Sequence, residues 1–166
     1  MTRPTLRSTL AALRADAARY PEGWRRAAGF WCTASYRVRR LRRYGSRWFL
    51  LLIPLDIACA LMRRYHEASE IPAAADIGAG LHLPHPIGIV VNPRAVIGRH
   101  CTLWHNTTVG ALGESVARVG DHCTLLFGSA LLGESMLPGN TLKQYEVRAG
   151  GRSHGLAAKP EGLVER

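Results

Sequence analysis

Two histidines hold the most promising chemistry in this chain: His85, within LPHPIGIVV, and His105, within LWHNTTVG. A neutral imidazole titrates near pH 6.5, so it can take a proton from a hydroxyl at neutral pH. That step turns a poor nucleophile into one able to attack a carbonyl. A carboxylate on the second ring nitrogen fixes the tautomer and stabilises the imidazolium as it forms. Glu70, shortly before His85 in the chain, is the acid best placed for this role. His85 and His105 are therefore candidates for a general base, with Trp104 beside His105 a candidate to line an acceptor cleft. The competing reading makes His85 a turn residue between Pro84 and Pro86, and Glu70 a solvated helix end. Cys32, Cys59, Cys101 and Cys123 show neither close pairing nor metal-ligand spacing, so no metal site is expected and reduced thiols are.

Whatever positions these groups is written in a six-residue period. After Glu70, large aliphatic residues recur at Ile71, Ile77, Leu83, then Val91, Ile97, Leu103, Val109, then Val119, Leu125, Leu131 and Leu137. Two places break the count: a two-residue insertion around Ile89 and Val90, and a longer one between Gly110 and Arg118. Small side chains recur four residues after the aliphatic, at Ala75, Ala95, Cys101, Thr107, Cys123, Ser129, Ser135 and Thr141. Neither a 3.6-residue helix nor a two-residue strand alternation produces this spacing, whereas a hexapeptide β-helix does. Each hexad is a short strand and a turn, three hexads make a triangular coil, and coils stack at the ordinary strand separation. The aliphatic points to the axis and the small residue fits the corner, so Cys101 and Cys123 are expected to pack. His100 and His122, one position earlier, are expected on solvent-facing turns without partners. A coil of three hexads also explains how Glu70 and His85 could meet, on successive turns of the stack.

Residues 1–66 are different. They hold 14 of the 22 basic residues, all Arg, against Asp16, Glu22 and Asp56, while the formal charge of the whole chain is +10. Helical spacing predicts a helix within 5–19, a second over about 27–44 and a third over about 46–68. The last contains WFLLLIPLDIACALM, too short and too interrupted by Pro54 and Asp56 for a membrane span, which needs roughly 20 apolar residues. The Arg-rich helices are expected to present a solvated basic face, with contact to an anionic membrane surface as the alternative. No helix-turn-helix, zinc-finger or RNA-recognition signature accompanies the charge, so nucleic acid is not expected as a partner. No cleavable signal pattern opens the sequence, and a cytoplasmic location is expected, peripheral to the inner membrane face if the basic helices bind lipid.

Residues 70–110, EIPAAADIGAGLHLPHPIGIVVNPRAVIGRHCTLWHNTTVG, resemble the core of the serine acetyltransferases and their relatives in surface-polysaccharide pathways. The shared pattern is an acidic residue and Ile, small residues, IGxG, an apolar pair, His, then Gly-Ile-Val-Val and a further hexad with IG. GFWCTASYRVRRL resembles the short N-terminal helical segment of the same group. The resemblance implies a left-handed parallel β-helix of hexapeptide repeats over 70–142, preceded by a helical segment over 1–69; the tail over 143–166 departs from it, being irregular where most relatives continue their hexads. It implies an acetyl-CoA-dependent O-acetyltransferase, with His85 as general base and Glu70 assisting where the family usually has Asp. It also implies a homotrimer, the pantetheine arm lying along the β-helix between subunits, without a metal. Gly110, Ala111 and Gly128 are then candidates for close approach of the cofactor, and Lys159, in SHGLAAK, for its phosphates.

Two departures bear on the acceptor. The family commonly has Asp directly before the base, where it helps hold the amino acid, and this chain has Pro84. The family's Arg-His pair in a later loop is replaced by the stretch SVARVGD. An ammonium group brought into a site needs a carboxylate partner, so a sugar hydroxyl competes with L-serine as acceptor. A catalytically inactive β-helix scaffold is the reading from a different class.

Overall fold

The structure, a computed structural model, describes residues 3–20, 24–44, 47–58 and 69–154. Two helices, α1 (Leu6–Ala17) and α2 (Trp24–Arg43), lead into a 3₁₀ helix (Arg47–Leu52) that continues as α-helix over 53–58. Pro54 falls in the first turn of that continuation, where its missing N–H costs nothing. The remainder of the expected third helix, and Lys159, lie outside the described residues.

The hexads then wind into a left-handed parallel β-helix with three faces. Coil 1 contributes Glu70, β1 (Asp76–Ile77) and His82 to faces A, B and C in turn. Coil 2 contributes β2 (Val90–Val91), β3 (Val96–Ile97) and β4 (Thr102–Leu103). Coil 3 contributes β5 (Thr108–Leu112), β7 (Arg118–Val119) and β8 (Thr124–Leu125), interrupted by β6 (Ser115–Val116). Coil 4 contributes β9 (Ala130–Leu132), β10 (Ser135–Met136) and β11 (Thr141–Leu142). Registers run straight up each face: Val90 on Thr108 on Ala130, Val96 on Arg118 on Ser135, and Thr102 on Thr124 on Thr141. The second residue of each pair points inward, so Ile77, Val91, Ile97, Leu103, Val109, Val119, Leu125 and Leu131 share one core. Ala75, Ala95, Cys101, Thr107, Cys123 and Ser129 fill the corners, all fully buried. Cys101 and Cys123 donate Sγ–H to Gly120 O and Leu137 O, both at 3.1 Å.

Three expectations change. The step after Leu131 is five residues, not six, so Met136 points to the axis and Leu137 is 71% exposed. Ser135 and Thr141 thereby move from corners to outward strand positions. The tail is not irregular at its start: β12 (Val147–Ala149) pairs in parallel with β9, opening a fifth turn on face A, and β13 (Arg152–His154) folds back on it antiparallel. That hairpin gives the last strand a partner where a stacked coil would otherwise be needed.

The third change concerns the arginines. A β-helix leaves the backbone of its first coil without a coil beneath it, and unpaired buried backbone groups are costly. Helices α1 and α2 lie under that end and supply the missing partners from side chains. Arg37 donates to Ile77 O and Gly78 O, both at 2.6 Å, and Arg39 to Ile71 O at 2.9 Å. Arg40 donates to Ala75 O and pairs with Asp76 at 2.6 Å. Tyr36 Oη donates to Ala75 O and accepts from Ile77 N, and Tyr20 Oη accepts from Leu83 N at 3.0 Å. Burial pushes both phenols above the ordinary tyrosine range. Asp16 accepts from the N–H of Gly80 and Leu81 at 2.8 and 2.9 Å and holds Arg37 through two bonds. The inner arginines of α2 are thus a polar cap rather than a solvated face.

Candidate functional site

The corner where face C turns into face A collects the aromatic and imidazole side chains. His85, His105 and Phe127 each stand two residues after an inward leucine of face C (Leu83, Leu103 and Leu125), so the stacking of coils sets them above one another. The corner is stitched by Asn106 N to Ile87 O, Gly128 N to His105 O and Tyr145 N to Phe127 O, at 2.8, 3.1 and 3.1 Å. The His85 ring lies 5.9 Å from that of His105, edge to face, and 5.8 Å from that of Trp104. His105 stacks flat on Phe127 at 5.3 Å, and Phe127 meets Tyr145 edge-on at 5.4 Å. The result is one continuous aromatic edge running up four coils.

Three residues named from sequence, His85, Trp104 and His105, are therefore brought together, with Pro84 opening the turn that presents His85. All four are half-buried. His105 Nδ1 is buried and has no hydrogen-bond partner among the described residues. Such an atom is costly unless a bound group satisfies it. Phe127 and Tyr145 were missed; the leucine-plus-two spacing would have found Phe127, whereas Tyr145 follows the register slip and carries no such signal.

Glu70 flanks the same corner without joining the cluster. Its N–H donates to Ile89 O at 2.7 Å and its carbonyl accepts from Val91 N at 2.9 Å, which fixes it under β2 at the head of face A. Its side chain is exposed, and among the described residues no ion pair links its carboxylate to His85. The two residues also belong to the same coil, not to successive ones, because the turn holding His85 closes coil 1.

The expected cofactor residues separate. Gly110 and Ala111 sit in β5 at the far end of face A, where the chain leaves the prism as a hairpin pairing Ala111 with Val116. Gly128 lies at the near end, two residues before β9. Neither glycine leaves an open gap. A Cβ on Gly128 would lie 2.5 Å from the Tyr145 ring, and one on Gly110 would lie 2.7 Å from Leu132 Cδ2. Close approach at these positions is already used by this chain's own side chains.

His100 and His122 also find partners, each other: their rings stack at 5.1 Å on the corner between faces B and C. Both take positive φ, 55° and 58°, a conformation that His tolerates better than most residues. A cleft of about 550 Å³ opens beside His100, between the start of α1 and β1, and is lined by Arg3, Arg37, Arg40 and Arg99 among others. It is a seam between the helical cap and the prism, on a different corner from His85. Among the described residues, no group of three or more His, Cys, Asp or Glu is arranged to hold a metal ion.

Prism, inward aliphatics and buried small corners define a hexapeptide-repeat left-handed β-helix. No family model matches the chain. It is similar to serine acetyltransferase 5 of Arabidopsis thaliana, 36% identical over 83 residues, covering 46% of this chain and 27% of that protein. It is also similar to serine acetyltransferase 4 of Arabidopsis thaliana, 30% identical over 150 residues, covering 82% and 40%. Among solved structures, serine acetyltransferase isoform 3 of Entamoeba histolytica in complex with cysteine superposes with a TM-score of 0.60 at 15% identity, covering 96% of this chain and 62% of that one. Soybean serine acetyltransferase complexed with serine gives 0.55 at 23% identity, covering 89% and 69%. A serine acetyltransferase complex with CoA gives 0.56 at 18%, covering 90% and 70%. The chain thus has the hexapeptide-repeat left-handed β-helix fold and is similar in sequence to serine acetyltransferases, and it spans less than half the length of the two plant relatives.

Proposed function

We propose that the chain is an acetyl-CoA-dependent O-acetyltransferase of the serine acetyltransferase kind, with His85 as its general base. The observation that carries the reading is the juxtaposition of His85, Trp104 and His105 on one corner of a fold shared with serine acetyltransferases. The acetyl thioester supplies the electrophilic carbonyl and a thiolate leaving group. His85 takes the acceptor hydroxyl's proton as the oxygen attacks, and returns it to the departing sulfur. The orphaned Nδ1 of His105 sits next to this imidazole and suits a polar group of acceptor or donor. Glu70, exposed in the structure, supports His85 only if its side chain turns into the corner when substrates bind. Gly110 and Ala111 at the hairpin are proposed to border the donor's path between subunits of a homotrimer.

A second reading, a sugar hydroxyl of a surface-polysaccharide pathway as acceptor, is favoured by Pro84 and by the aromatic edge. Pro84 gives an amino acid's ammonium group no carboxylate, whereas the apolar faces of a sugar ring stack on aromatic side chains. The test is release of free thiol from acetyl-CoA in the presence of L-serine or of sugar acceptors. His85→Ala is expected to lower the rate by about 10²–10⁴-fold with the melting temperature retained. A rate equal to wild type in that variant refutes the mechanism, and failure of calorimetry to detect CoA binding would favour an inactive scaffold.

A further inference from the structure

The segment over 50–57 is amphipathic in the wrong sense for a helix that faces water. Leu55 turns inward and packs against Leu13 and Ala34. The outward positions are all apolar: Leu50 and Leu51 are each 63% exposed, Ile57 is 56% exposed, and Ile53 and Pro54 are exposed beside them. Residues 50, 53, 54 and 57 follow the i, i+3, i+4, i+7 spacing, so they form one stripe rather than scattered surface contacts. Together they present a few hundred Å² of contiguous apolar surface, the size at which a patch on a monomer usually has a function.

What surrounds the stripe states what it meets. In sequence it stands between Arg42-Arg43 and Arg63-Arg64, with Arg47 at its start and Asp56 as the only acid from 42 to 66. Arg42 and Arg43 are exposed on the last turn of α2, whereas Arg37, Arg39 and Arg40 of the same helix are engaged by the carbonyls of coil 1. Exposed cationic side chains at the end of α2 thus stand shortly before the apolar stripe in the chain. No described helix is long and apolar enough to cross a membrane. An apolar stripe set among arginines, too short to span, fits the headgroup region of an anionic bilayer: aliphatic side chains enter the acyl boundary while guanidinium groups meet lipid phosphates.

We infer that residues 50–57 form a docking surface for an anionic lipid bilayer, so that the protein works at a membrane surface whatever acceptor it uses. The inference is independent of the chemistry at His85. The full-length protein is to be sedimented with phosphatidylcholine vesicles and with vesicles containing 30% phosphatidylglycerol (about that fraction suffices for a negative surface potential). Binding is expected to the anionic vesicles, at least about tenfold weaker to the neutral ones, and weakened by 0.5 M salt, roughly a 4 Å screening length. Leu51→Ser/Ile57→Ser, at exposed positions, is expected to lose about tenfold in vesicle affinity with an unchanged circular dichroism spectrum and melting temperature. The inference is overturned if wild type ignores anionic vesicles, or if the double variant binds them equally well. It is also overturned if the variant instead abolishes a concentration-dependent self-association in a protein that does not bind vesicles, since a second copy would then be the occupant. Should the double variant lose its fold, Arg43→Gln alone, with reduced affinity and a reduced salt response, keeps the question decidable.

Discussion

Replacing Asp16 by Ala probes whether the helices truly cap the β-helix. Asp16 is fully buried, bonds Arg37 at 2.9 and 3.1 Å, and accepts the N–H groups of Gly80 and Leu81. Its removal leaves a buried guanidinium without its counter-ion, which costs about 3–5 kcal/mol. It also strands two amides, each worth about 1–3 kcal/mol, although relaxation around the shared oxygen keeps the costs from adding in full. A net loss of about 5 kcal/mol is expected, a third or more of the stability of a typical domain. At roughly 2–4 °C per kcal/mol for a chain of this size, the melting temperature falls by about 10–20 °C. Asp16→Asn keeps an acceptor but loses the charge, and is expected to show about half that drop. Scanning calorimetry measures both, and hydrogen exchange locates the damage: the amides of residues 77–81 exchange faster while those of coils 3 and 4 do not. A fall of less than about 3 °C for Asp16→Ala means that coil 1 does not depend on its helical cap, and the account of the arginines fails.

Other perturbations read other parts of the same stack. Gly98→Ala places a Cβ about 2.6 Å from the backbone of Gly120 and Asp121, so coils 2 and 3 are pried apart; denaturant titration should show a loss of about 2–3 kcal/mol. Burial pushes the Cys101 thiol up to about 11, so iodoacetamide at pH 8 should leave it unmodified in native protein and label it after unfolding, as mass spectrometry would show. Burial, reinforced by Arg19, lowers the His82 pKa in the folded state. The unfolded chain then binds the proton more readily, so stability is full above the ordinary His value, about 6.5, and declines as pH falls below it. His82→Asn should flatten the fall in urea midpoint between pH 7 and pH 5.

The prism was legible because inward positions on a parallel stack leave little choice of residue. Nine of the 11 aliphatics assigned to the axis lie at or before Leu125, and all nine are buried there, with Leu131 after them. The error at Leu137 has a physical origin. Counting six onward from Leu137 would send Lys143 to the axis, whereas the five-residue step brings Met136 and then Leu142 inward and leaves Leu137 and Lys143 outside. The site was half legible. His85 and His105 stand out by type, but whether a side chain at a corner meets its counterpart depends on how the coils stack. That is why the His85–His105 contact appears only in three dimensions, and why Glu70, on the same coil as His85 rather than the next, is not bonded to it. At Gly110 and Gly128 a missing Cβ admits a neighbouring side chain, Leu132 and Tyr145 respectively, which no spacing in the sequence foretells.

The arginines are where composition misled most, and where the structure is most instructive. A charge count treats the arginines of the N-terminal segment as one property, yet the fold divides them by direction. A guanidinium carries five donors in a fixed plane and stays charged when buried, so it can serve several carbonyls of an uncovered coil at once, as Arg37 does for Ile77 and Gly78. Lysine, with a strongly hydrated point charge, would lose more hydration in the same place. Beyond this cap Arg3, Arg7, Arg14, Arg42 and Arg43 are exposed, and of these Arg42 and Arg43 stand nearest in sequence to the apolar stripe over 50–57. Arg37, Arg39 and Arg40 thus meet the need to end a β-helix, a place where a planar, permanently charged group with several donors serves better than an ammonium.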